Sequence, residues 1–89
     1  MRQIPWNKKL LEKFIEVSFL TPFQEEVLRT RVENSWTVKK QALELHCSEV
    51  TIHRTVRKIK EIYDEVQPHY PEYLPPRKKS QYEDYLDQN

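Results

Sequence analysis

Not one glycine occurs in this chain. Tight β-turns and phosphate-cradling loops rely on glycine, because it takes positive φ without steric cost. Its absence argues against a strand-rich fold with many tight turns, and against Walker A and Rossmann turns. The 89 residues allow one small domain plus at most a tail. Only 37% of them are hydrophobic, so the core must be compact and helical. The single Cys rules out an intrachain disulfide framework and a multi-cysteine zinc site, and suits a reducing, cytoplasmic setting. No apolar run approaches the ~18 residues of a membrane span. Met1 to Leu10 lacks the apolar core of a secretory signal.

The apolar spacing predicts an all-α bundle. Trp6, Leu10, Phe14 and Val17 form one stripe, widened by Leu11 and Ile15, and predict a first helix from Pro5 or Asn7 to Val17. A second helix starts at Thr21-Pro22, where Gln24 completes a capping box with Pro at the first helical position. It carries Phe23, Val27, Leu28 and Val32 and should stop near Asn34-Ser35, with Asn as the better left-handed residue. A short third helix runs from Val38 to about Leu45 behind the cap Thr37. His46 falls where a left-handed turn residue is expected. A fourth helix, capped by Ser48, runs from Glu49 to about Val66. Its seam of Ile52, Val56, Ile59, Tyr63 and Val66 has heptad spacing and needs a partner, either the first helix or a second chain.

The helical unit is expected to span residues 1–67, with a Pro/Tyr-rich tail over 68–89. The prolines from Pro68 to Pro76 predict an extended or polyproline-like course. Ser80 and Glu83 suggest a cap for a short last helix through Tyr82, Tyr85 and Leu86. The tyrosines make the tail either a cover over the first helix or a docking peptide for RNA polymerase or another protein. Charge is uneven as well. Arg29, Arg31, Lys39, Lys40, Arg54, Arg57, Lys58 and Lys60 outnumber Glu33, Glu44 and Glu49 in the middle of the chain. Such a basic middle is either a solvated helix face or a nucleic-acid footprint.

Residues Thr37 to Ile59 satisfy the joint demands of a helix-turn-helix. Ala42 is small where two helices must approach closely, His46 makes the turn, and Cys47 plugs its underside. Leu45, Ile52 and Val56 close the packing. From Leu20 to Ile59 the chain resembles the DNA-binding unit shared by region four of bacterial sigma factors and the LuxR-type regulators. Leu20, Thr21, Glu26, Val27, Leu28 and Arg31 carry the match in the second helix. Trp36, Thr37, Ala42, Leu45, Ser48, Thr51, Ile52 and Val56 continue it. Phe23, Gln24, Thr30 and His46 depart from the residue types common at those places.

Stepping 100° per residue from Ile52 sets Val50, Arg54, Arg57 and Glu61 outward on the fourth helix, flanked by His53 and Lys58. In this docking mode the start of the second helix of the motif meets base edges. Arg54 is then the candidate for guanine, and Val50 for a thymine methyl. Glu49 either accepts from cytosine or favours the helix dipole, and the dipole is the better reading. Arg57, Lys58, Lys39, Lys40 and Thr37 suit phosphates, and Ser48 and Thr51 complete the candidate set. The expected function is sequence-specific binding of double-stranded DNA by a small regulator of bacterial or phage type, acting as a homodimer through the fourth-helix seam or the first-helix stripe. The alternative is a sigma-region-like adaptor for RNA polymerase or another regulator. Nothing in the sequence points to an enzyme, a metal site at His46, Cys47 and His53, or a cofactor. Trp6 and Trp36 read as packing residues.

Overall fold

The structure is a computed structural model that describes residues 4–77. Four helices follow one another: α1 over Lys8–Ser18, α2 over Pro22–Val32, α3 over Val38–Glu44 and α4 over Glu49–Val66. A short 3-10 turn, Gln67–His69, continues from α4. The described residues contain no strand. The suggested last helix at Tyr82–Leu86 lies outside the described residues.

Each helix begins on a side-chain oxygen that accepts an otherwise orphaned backbone N–H. Asn7 accepts from Leu10 at 2.8 Å, Thr37 from Lys40 at 3.1 Å and Ser48 from Thr51 at 3.1 Å. Thr21 and Gln24 exchange both bonds of the capping box, at 3.0 and 3.2 Å.

Without glycine, non-glycine residues must make the left-handed turns. His46 does so at φ 57°, and the Cys47 N–H closes on the Ala42 carbonyl at 3.0 Å, ending α3 as expected. At the end of α2 the left-handed residue is Ser35 rather than Asn34, at φ 56°. The reversal is completed one residue later, because the closing bond runs from the Trp36 N–H back to the Thr30 carbonyl at 3.0 Å. Phe19, at φ 54°, ends α1 in the same way, which its residue type did not suggest.

Helix α4 packs against all three other helices. Its seam residues Ile52, Ile59 and Tyr63 are buried, and Val56 and Val66 pack partly exposed at the margin. Leu10, Leu11 and Phe14 of α1 are buried in the same core. The two apolar faces considered for a homodimer are therefore used mainly within one chain. Trp6, Phe14 and Tyr63 form an aromatic triad with ring centroids 5.4–5.9 Å apart. Phe23 is one of the large apolar residues left at the surface instead of joining Val27 and Leu28 inside.

After α4 the chain does not run extended. Tyr73 and Leu74 donate backbone N–H groups to the Tyr70 carbonyl, which makes a turn. Leu74 then enters the core fully buried. Gln67 Nε2 donates to the Leu74 carbonyl at 3.0 Å, and the Tyr63 hydroxyl donates to the Pro75 carbonyl. Arg77 pairs with Asp64, and Lys13 Nζ lies 4.3 Å from the centre of the Tyr73 ring. Prolines forbid a regular helix here, but they allow turns that carry one leucine back inside.

Burial pushes the Tyr63 phenol above its ordinary value of 10.0; Asp64 adds to the rise and Arg77 opposes it. A raised phenol value means that the neutral form stabilises the fold below the unfolded value. That contribution is lost as pH rises through the folded value. Wild-type stability should therefore drop more steeply above pH about 10 than that of Tyr63→Phe. The variant should be about 1 kcal/mol less stable near neutrality. Denaturant midpoints between pH 7 and 11 check both statements.

Candidate functional site

The outward face of α4 is a strip of polar and basic side chains. His53, Arg54, Arg57 and Lys58 are exposed, and Val50 is 57% exposed among them. The opposite side of the same helix holds the buried Ile52, Ile59 and Tyr63, so the 100° reading of the wheel agrees with the burial. Eighteen residues make α4 roughly 27 Å long. Lys39 and Lys40 are exposed on α3 and Glu49 in the first turn of α4. Glu49 lies at the positive end of the α4 dipole, where a carboxylate is favourable.

Not all candidates are equally available. Thr37, Ser48 and Thr51 serve the helix starts. Thr37 caps α3, while Ser48 caps α4 and shares a 3.0 Å hydroxyl contact with the half-buried Thr51. Lys40 pairs with Glu44 at 3.2 Å and sits 5.5 Å from the centre of the Trp36 ring. Lys58 is 4.0 Å from Glu61. Both are exposed i,i+3 or i,i+4 pairs that water and salt weaken, so they can exchange for another anion. Lys39, Arg54 and Arg57 make no ion pair among the described residues.

Arg29 does not belong to this surface. Its guanidinium reaches Glu12 at 2.8 Å, Glu25 at 2.9 Å and Glu33 at 3.4 Å. The hydrogen bonds it donates to these carboxylates, Glu12 first, hold it charged far beyond its already high range. The same bond pulls the Glu12 carboxyl below its ordinary value. Arg31 donates to Gln41 Oε1 at 3.1 Å. The basic middle of the sequence thus divides into a neutralised cluster joining α1 to α2 and an open strip on α3 and α4.

The element holding α3 in place is polar and was not among the expected residues. Gln41 is fully buried. Its Nε2 donates to the Val27 carbonyl at 2.8 Å and to Thr30 Oγ1 at 3.0 Å. Thr30 in turn donates to backbone carbonyls one turn earlier in α2. The departure at Thr30 therefore has a partner: a hydroxyl stands there because an amide from α3 needs an acceptor. Gln41 immediately precedes Ala42, and a polar residue on the inward side of α3 was the available signal.

Among the described residues no group of three or more His, Cys, Asp or Glu side chains is placed to hold a metal ion. Cys47 is half-buried and packs against the core. No helix of the described residues is long and apolar enough to cross a membrane. Comparison of the chain with protein-family models, with curated proteins and with solved structures returned no match.

Proposed function

We propose that the chain binds double-stranded DNA through a helix-turn-helix formed by α3 and α4, as a small transcriptional regulator of the kind it resembles. The observation that carries this reading is the outward face of α4. Arg54 and Arg57 stand there exposed and, among the described residues, without ion pairs, while the inward face is held by three helices. A B-DNA major groove about 12 Å wide admits one α-helix. The cap at Ser48 and the left-handed His46 set the angle at which α4 leaves α3, which supports presentation of its first turns.

The roles follow from chemistry and position. Arg54 is assigned guanine O6 and N7, with Val50 against a thymine methyl. Arg57, Lys58, Lys39 and Lys40 are assigned phosphates, which supply affinity and register without reading sequence. Thr37 and Ser48 contribute from the helix starts, where backbone N–H groups also favour phosphate.

Selection from a pool of randomised duplexes tests the reading. Wild-type protein should enrich a defined sequence, and Arg54→Ala should lose or relax it at one position, at a cost of ~1–3 kcal/mol. Arg57→Ala should weaken binding evenly across sequences and reduce the slope of log affinity against log salt by about 0.9. No enrichment by well-folded wild type, together with a stable complex with RNA polymerase, would replace this reading with the adaptor.

A further inference from the structure

Charge on α4 is sorted along its length. From Val50 to Lys60 the charged residues are Arg54, Arg57, Lys58 and Lys60, with no acid among them. From Glu61 to Val66 they are Glu61, Asp64 and Glu65, with no Lys or Arg. Val50, Arg54, Arg57, Glu61 and Asp64 recur at steps of four and three, so one exposed strip carries both blocks. Lys58 and Glu61 meet across the boundary at 4.0 Å, in an exposed pair that another ion displaces readily. Arg54, Arg57 and Glu65 make no ion pair among the described residues.

The last described residue, Arg77, is seated on this strip. Its guanidinium donates to Asp64, from Nε at 2.9 Å, and its side chain is only 12% exposed. The bonds that Tyr63 and Gln67 make to the Pro75 and Leu74 carbonyls fix the chain just before it. Arg77 is near enough to Lys60 to help hold that ammonium below its ordinary value; burial is the larger cause and Arg31 adds least. The chain that follows carries charge in an order that matches α4. Lys78 and Lys79 come first, then Glu83, Asp84 and Asp87, with no Lys or Arg from Ser80 to Asn89. Run back along α4 from Asp64, the two lysines meet the acidic block and the three acids meet the basic block. Continued past Val66 instead, the acids would approach Glu65 and leave the basic block behind.

We infer that residues 78–89 fold back along the outward strip of α4, with Glu83, Asp84 and Asp87 against Arg54 and Arg57. The reach suffices. Arg57 and Arg54 lie about 10 and 15 Å from Asp64 along the helix axis. The seven residues from Arg77 to Asp84 span at most ~25 Å. Tyr82 and Tyr85 stand among the acids, and phenol rings suit the faces of arginine guanidinium groups. A single exposed ion pair is weak, so the contact draws on several pairs and on the tether, which keeps the acids at high local concentration. The covered residues are those assigned to DNA. The tail therefore competes with the phosphate backbone and lowers affinity without changing which bases are read. That consequence rests on the DNA reading; the docking of the tail does not.

Three full-length chains, compared by NMR and by DNA binding, test both parts. The first is wild type. The second carries Glu83→Gln, Asp84→Asn and Asp87→Asn together. The third is a control of equal net charge, Glu16→Gln, Glu26→Gln and Glu72→Gln, changed at exposed positions away from the strip. At about 50 mM salt the backbone amide signals of residues 53–58 should differ between wild type and the tail variant, and coincide between wild type and the control. At about 0.5 M salt, where screening shortens to a few Å, the difference should fade. Unchanged signals over residues 53–58, or changes confined to the basic start of α1 at residues 8–13, would overturn the docking. Affinity for a pool of random-sequence duplexes at about 50 mM salt should be about tenfold higher for the tail variant than for the control. Equal affinities of these two chains would overturn the competition. If no chain binds duplex DNA while the signals of residues 53–58 move, the DNA reading fails and the docking stands.

Discussion

Replacing Gln41 by Ala should cost the fold about 2–4 kcal/mol, read as a lowered denaturant midpoint. The side chain is fully buried and joins α3 to α2 through two donated bonds, to the Val27 carbonyl and to Thr30 Oγ1. Truncation removes both bonds and leaves a cavity in a core that collapses only partly. It also frees the exposed Arg31 from its acceptor, which costs little. A second pair of variants separates packing from hydrogen bonding. Gln41→Leu refills the volume but leaves the Thr30 hydroxyl facing an apolar neighbour. Adding Thr30→Val removes that hydroxyl. The double variant should be more stable than the sum of the two single changes, because both partners of the bond are replaced together. A cost below about 0.5 kcal/mol for Gln41→Ala would show that α3 is held by its apolar contacts alone.

Leu74→Ala should cost a comparable amount, about 2–5 kcal/mol. Leu74 lies outside the four helices but is fully buried in their common core. A small domain buries a modest share of its apolar surface, so one leucine is a large part of its margin. The neighbouring bonds explain why the site cannot simply close. The Gln67 amide holds the Leu74 carbonyl, and the Tyr63 hydroxyl holds the Pro75 carbonyl, so the turn stays over the vacated space. Tyr73→Ala, at a half-exposed side chain under Lys13, should cost far less. Equal losses from the two substitutions would mean that residues 70–77 act as a surface cover rather than as part of the core.

The helix starts were legible because a cap is a local event. Thr21, Thr37 and Ser48 each need only an N–H three residues on, and the capping box at Thr21 and Gln24 is written within four positions. His46 was legible for the same reason: the turn that it makes closes over five residues, onto Ala42. The outward face of α4 also followed from order alone, since Ile52, Ile59 and Tyr63 at helical spacing leave Arg54 and Arg57 opposite them.

Other features depend on groups that meet only after the helices pack. Arg29 looked like part of a basic footprint, yet its shortest contact is to Glu12, 17 residues away. Composition cannot say which cations are neutralised when the neutralising carboxylate lies on another helix. Thr30 and Gln41 are 11 residues apart and gain meaning only as a pair. The prolines after Gln67 correctly argued against a regular helix. They could not show that Leu74 returns to the core, because that depends on the space the packed helices leave there.

The sequence by itself determined where α2, α3 and α4 begin, how α3 ends, and which side of α4 faces inward. These follow from hydrogen-bond capping and a 3.6-residue period, both of which act within a few residues. Only the tertiary structure decided which charges remain open, which polar residues lie inside, and that the first turns after α4 belong to the core. Those outcomes are set by contacts between segments distant along the chain, whose energies depend on burial and geometry that no local pattern carries.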